Sequence, residues 1–147
     1  MEKINILIIG NGGREHTFCW KLAQSQFTNQ LFIAPGNGGT EDLATNLDIS
    51  INDFEAIKNA VLINQIKLVV VGPEDPLVNG IHDFFLSDKA LNNIPVIGPK
   101  KIGATLEGSK EFAKMFMQRH KIPTAQYGSF TAENIDQGYA FLDQMNP

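Results

Sequence analysis

The chain has 147 residues, enough for one domain with a real core or for one domain and part of another. Apolar residues make up 43% and the formal charge is -4, which excludes a disordered chain and disfavours a general nucleic-acid-binding surface. A single cysteine, Cys19, excludes an internal disulfide and a cysteine-rich metal site. No apolar run approaches the roughly 20 residues of a membrane helix, and the opening "MEKINILIIG" is too short in its apolar part for a secretory signal. A cytoplasmic protein without membrane or nucleic-acid partners is the expectation.

Five β-branched, apolar runs read as strands: 4–10, 31–35, 47–51, 68–72 and 94–98. The first, fourth and fifth are nearly continuous, as strands covered on both faces are. Helical patterns lie between them. Residues 14–25 carry Phe18 and Leu22 beside Cys19 and Ala23. Residues 53–65 carry Phe54, Ile57 and Val61 on one stripe, with Asn52 as the expected N-cap and Glu55 three residues on. Residues 77–89 carry Leu77, Ile81, Phe84 and Phe85. The link between the second and third strands leaves only 39–45 for a helix, one turn at most. This alternation predicts an α/β domain over 1–99, a doubly wound parallel sheet of strand order 3-2-1-4-5.

A different pattern follows. Residues 100–120 read as helical, with Phe112, Met115 and Phe116 on one side, and Gly103 and Gly108 are the places where the helix would divide. Residues 121–130 read as extended, because Ile122 precedes Pro123. Thr131 can cap a last helix to about Met145. A helix, an extended segment and a helix do not close a core. Residues 100–147 are therefore expected to be a linker helix and the incomplete start of a second domain.

The chemistry concentrates in loops. "IIGNGGREH" places Gly10, Gly12 and Gly13 between a strand and a helix, where free helix-terminal N–H groups favour an anion. Arg14 offers a guanidinium to phosphate. Gly10 and Gly12 fit the dinucleotide fingerprint G-x-G-x-x-G, but the third glycine position is Glu15. The acidic residue expected about 20 positions on is also missing, with no carboxylate before Glu41. A nicotinamide cofactor is thus disfavoured; a phosphate or phosphosugar and plain turn chemistry stay open. "GPEDPL" follows the fourth strand, beside the first strand at the switch point where ligands of such sheets bind. Glu74 there suits ribose hydroxyls or an amine, or is simply a solvated loop acid. "PGNGGT" adds Asn37 and Thr40 as polar contacts or as turn residues. His16 can touch a ligand or pack, while His82 and His120 read as surface residues. Cys19 reads as a small buried helix residue, and from spacing Lys110 is an exposed helix lysine.

Taken in order, "IIGNGGREH", "APGNGGT", "VVGPEDPLVNGI", "IGP" and "ATLEGSKEFAKMFMQRHKIPTA" resemble the amino-terminal part of the phosphoribosylamine–glycine ligase family, of the ATP-grasp superfamily. The resemblance spans essentially the whole chain. It implies a Rossmann-like pre-ATP-grasp domain, then the start of an ATP-grasp domain whose lid and metal-binding carboxylates lie beyond this sequence. It implies ATP-dependent joining of glycine to 5-phosphoribosylamine through a glycyl phosphate, in purine biosynthesis, with Mg2+ or Mn2+ accompanying ATP. It assigns the phosphoribosyl substrate to Gly10, Asn11, Gly12, Gly13, Arg14, Glu15 and Glu74, with Asn37 and Thr40 nearby. It assigns the nucleotide phosphates to Lys110. No catalytic residue and no metal ligand is assigned here, and this part alone is expected to be inactive. A related ATP-grasp ligase or carboxylase and a stand-alone phosphosugar-binding module are the alternatives.

Overall fold

The computed structural model describes residues 2–145, in two compact units, 1–108 and 109–147. The first unit is a five-stranded sheet in the order β3-β2-β1-β4-β5, with every pairing parallel. Its strands are β1 (Ile4–Gly10), β2 (Thr28–Pro35), β3 (Thr45–Asn46), β4 (Ile66–Val71) and β5 (Val96–Ile97). The doubly wound sheet and its strand order agree with expectation.

Side-chain alternation sorts the core between the two faces. Leu7, Ile9, Phe32, Ala34, Val69 and Val71 point to one face. They are covered by α2 (Phe54–Ile63), α3 (Glu74–Asn79), α4 (Ile81–Ser87) and α5 (Lys101–Gly108) through Ile57, Val61, Leu77, Ile81, Phe85 and Ala104. Ile8 and Ile33 point to the other face, where α1 (Gly13–Ala23) covers them with Cys19, Phe18 and Leu22. One face is therefore deep and the other is a single helix thick.

Several local expectations are corrected. "LDISI" is not a strand. The ladder ends after Leu47 donates to Ile33 O (2.8 Å), because Ile49 N–H turns back to Leu47 O (2.7 Å). Leu47, Ile49 and Ile51 still pack on the core, from an irregular segment. β5 is only two residues long: Pro95 has no N–H to give, and Gly98 leaves the strand at φ +146°. The helix expected over 77–89 begins earlier, at Glu74, and is broken at Gly80, whose φ of +98° is left-handed. The N-cap of α2 is Asp53, whose carboxylate accepts the Ala56 N–H (3.0 Å). Asn52 instead binds Asp75 and Asn79.

Residues 101–108, read from sequence as a linker helix, pack with the first unit. A Cβ on Gly108 would meet Val78 Cγ2 of α3 at 2.5 Å, so the two helices touch closely. The second unit holds α6 (Lys110–Arg119), a 3-10 turn (Ala132–Asn134) and α7 (Ile135–Met145). Ser109 caps α6 by accepting the Phe112 N–H (3.2 Å), so the helix divides at Gly108 and Ser109 rather than at Gly103. No helix among the described residues is long and apolar enough to cross a membrane.

Candidate substrate-binding crevice

Parallel pairing brings the carboxyl ends of β1, β2 and β4 together, with Gly10 opposite Pro35 and Ile9 opposite Val71. The loops after them are stitched to each other. Gly36 N–H donates to Gly10 O (3.1 Å) and Gly72 N–H to Ile9 O (3.0 Å). The Asn37 amide donates to Asn11 O (2.8 Å). The loops 10–14, 35–40 and 72–76 thus lie side by side at the switch point, where a crevice for a ligand is expected.

Glu15 does not lie where a ligand would touch it. It is 4% exposed, in the first turn of α1. One carboxylate oxygen accepts the Gly12 N–H (2.8 Å) and the other accepts Arg14 Nε–H (2.9 Å). Its side chain crosses the ends of two strands. A Cβ on Gly10 would sit 2.5 Å from Glu15 Cγ, and one on Gly72 would sit 2.1 Å from its Oε1. β1 ends in Gly10 and β4 is followed by Gly72, and this carboxylate occupies the space at both. The expectation of Glu15 as a substrate contact is corrected on that ground. The Gly12 amide is likewise withdrawn from any anion. The first-turn amides of Gly13 and Arg14 keep no partner among the described residues.

Arg14 is exposed and held between carboxylates. Its Nε is bonded to Glu15, and its Nη2 lies 4.0 Å from Glu74 Oε2. The guanidinium's hold on its proton is strengthened, first by the Glu15 hydrogen bond and then by the charges of Glu15, Glu74 and Glu107, with burial opposing. One cation among three carboxylates makes a poor seat for a doubly charged phosphate. It suits neutral hydroxyls and an amine, which hydrogen-bond to Glu74 and to the outer nitrogens of Arg14. Glu74 is about half exposed and free to do so.

Thr40 is also corrected. It is fully buried: its hydroxyl accepts the Asn37 N–H (2.9 Å) and lies 2.8 Å from Asn37 O and from Asn46 Oδ1. Asn37 spends its side chain on Asn11 O and on Gly39 N–H (2.8 Å each). Both residues shape the loop. Asn46, which sequence reasoning passed over, ties it to β3 through Asn37 O (3.0 Å). Its two-residue strand carried no signal of that role. His16 packs under the same loop, where a Cβ on Gly39 would meet its ring at 3.0 Å.

Lys110 belongs to the second unit, exposed at the start of α6. It lines a hollow of about 420 Å³ with Lys114, Tyr127 and Ser129. A larger hollow there, about 710 Å³, has no charged side chain on its walls. Among the described residues, no cluster of three or more His, Cys, Asp or Glu side chains is placed to hold a metal ion.

Residues 4–107 match the family described as phosphoribosylglycinamide synthetase, N domain. The chain belongs to that family. It is 50% identical over 130 residues to phosphoribosylamine–glycine ligase of Haemophilus influenzae, covering 87% of this chain and 29% of the relative. It is 48% identical over 135 residues to the bifunctional purine biosynthetic protein PUR2,5 of Pichia angusta, covering 89% and 17%. Among solved structures it resembles phosphoribosylamine–glycine ligase of Thermotoga maritima at 28% identity and a TM-score of 0.64, covering 94% and 30%. A biotin carboxylase domain of a bacterial carboxylase shares the fold at 18% identity and a TM-score of 0.60, covering 97% and 34%. The chain therefore spans less than a third of the length of these ligases.

Proposed function

We propose that the chain is the amino-terminal, phosphoribosyl-binding part of a cytoplasmic phosphoribosylamine–glycine ligase. The reading is supported most by the family match over 4–107, which contains all three crevice loops. In the proposed reaction a glycine carboxylate oxygen attacks the terminal phosphorus of ATP, releasing ADP and forming a glycyl phosphate. The amine of 5-phosphoribosylamine then attacks the glycyl carbonyl. It loses a proton and expels phosphate, leaving an amide. A free carboxylate is a poor acyl donor, and the acyl phosphate must be kept from water. The part of this chain is to hold the sugar. Glu74 and Arg14 take the hydroxyl and amine end, and Gly13, with open space at its Cβ position, gives the backbone room for close approach.

Residues 109–147 are proposed as the start of an ATP-grasp domain, with Lys110 toward the nucleotide phosphates. The likeness of the chain to phosphoribosylamine–glycine ligase of Thermotoga maritima, over 94% of its length, favours this. A divalent cation, Mg2+ or Mn2+, belongs with ATP, and the described residues hold no cluster of three or more His, Cys, Asp or Glu side chains for it.

The test is phosphate release by the full-length protein as a function of ATP, glycine and 5-phosphoribosylamine. Dependence on all three supports the reading; turnover with another acid or amine in place of these overturns it. Glu74→Gln is expected to raise KM for the ribosyl substrate about 10-fold or more, the scale of a charged hydrogen bond. Ligands lacking ribose hydroxyls should lose less. Equal loss for both removes Glu74 from the sugar site.

A further inference from the structure

Glu15 is a carboxylate in the first turn of a helix, almost wholly buried, with both oxygens engaged. Such a group is costly to bury unless it is paired, and here it is paired with one backbone amide and one guanidinium. Two strand ends carry glycine at the points where its side chain passes. In a dinucleotide-binding loop the corresponding position is glycine, which leaves room beside the pyrophosphate. Here the protein supplies its own anion at that place. A ligand phosphate at the Gly12 amide would have to displace a charge the fold has already seated.

We propose that Glu15 is a positioning residue for the sugar site, acting through Arg14 rather than on the substrate. This rests on the ligase reading above. By holding Nε, Glu15 fixes the plane of the guanidinium, whose Nη2 lies 4.0 Å from Glu74 Oε2. A guanidinium held at one edge loses little freedom when its other edge binds a ligand. By holding the Gly12 amide, the same carboxylate fixes the loop from which Arg14 projects, so one side chain sets both the base and the aim of the contact.

Glu15→Gln keeps the shape but presents an NH2 to one of two donors, so one of the two bonds is lost. The variant is expected to raise KM for 5-phosphoribosylamine about 10-fold while kcat and KM for ATP change less than about twofold. Arg14→Ala raises the same KM. In the Arg14→Ala background, Glu15→Gln then adds less than about a twofold change, because the residue it acts through has gone. A purely structural Glu15 gives multiplicative effects on every parameter instead, and that result overturns the proposal. A ligand-free readout separates this from the function. In isotope-labelled full-length protein, the Arg14 Nε–H is slow to exchange in wild type and fast in Glu15→Ala, which removes both acceptor oxygens. An Arg14 Nε–H that exchanges alike in both overturns the positioning role whatever the enzyme does. Wild-type protein that makes no glycinamide ribonucleotide overturns the ligase reading, while the exchange experiment still decides whether Glu15 holds Arg14.

Discussion

The two units of this chain are built from similar helices but stand on different footing. In the first, every strand contributes to a sheet covered on both faces, and the buried apolar residues run from Ile6 to Ala104. In the second, α6 buries none of its residues, and Met115, Tyr139 and Leu142 are at least half exposed. Both α6 and α7 are amphipathic, so the pattern that makes a helix is present in each unit. What differs is the surface to lie against.

The comparison breaks or stands first on the core. Phe85 is 1% exposed on the deep face, and Phe85→Ala is expected to cost about 3–5 kcal/mol in denaturant unfolding. Met115→Ala in the second unit is expected to cost below about 1 kcal/mol. An equal cost would mean that the apolar side of α6 is covered in solution. Next comes the crevice, within one loop system. Gly72→Ala drives a methyl into Glu15 and is expected to cost about 2–3 kcal/mol. Gly13→Ala meets nothing within 4 Å and sits in a helix, so it is expected to be neutral or to stabilise by up to about 1 kcal/mol. A similar cost at both positions would contradict the placement of Glu15 across the strand ends. Ser109→Ala removes the cap of α6 and is expected to cost about 1 kcal/mol of that helix. Native-state hydrogen exchange should show the loss in α6 amides and leave β1 and β4 unchanged.

Much of the first unit was legible because its strands are self-declaring. "INILIIG" and "LVVVG" are continuous apolar runs of the kind a sheet covered on both faces accommodates, and the topology rule then placed the loops after the first and fourth strands beside one another. "LDISI" misled because its apolar residues are buried without pairing, and the tight turn at Ile49 depends on the neighbouring β2. Gly80 was visible in the sequence, but a glycine inside a helical pattern does not say whether it will bend into the left-handed region. The roles of Glu15 and Thr40 were illegible for a deeper reason. Polar residues in a glycine loop look like ligand contacts, and whether they turn inward depends on space made elsewhere. For Glu15 that space is made by Gly72, which follows a different strand.

A smaller effect should come from the ion pair of Lys58 on α2 with Asp88 after α4. The Lys58 hydrogen bond, helped by the Ala90 amide, holds the Asp88 carboxyl below its ordinary value, and the same bond holds Lys58 above its own. A lowered carboxyl pKa stabilises the fold above the unfolded value, about pH 4, and that contribution is lost as pH falls through the folded value. The raised lysine contributes below its unfolded value, about pH 10, and loses this at higher pH. Asp88→Asn should therefore flatten the acid limb of stability below about pH 4 and leave the crevice untouched. An unchanged acid limb would show that the pair contributes nothing to folding.

The least effect of all is expected at Cys19, and there the size of nothing is informative. The thiol is fully buried against Ile8 and Ile33, and burial, with the charge of Glu15, pushes it up to about 11. At pH 8 roughly one thiol in a thousand would be ionised even if a reagent could reach it. Alkylation in the native state must therefore wait for α1 to lift from the sheet. Its rate then reports opening of the first unit alone. Phe85→Ala should accelerate labelling strongly if α1 leaves only with the whole core, and little if the thin face opens by itself. Ser109→Ala and Met115→Ala should leave it unchanged in either case. A labelling rate that rises with those two substitutions would mean that the second unit supports the first, and the contrast between them would then be one of degree.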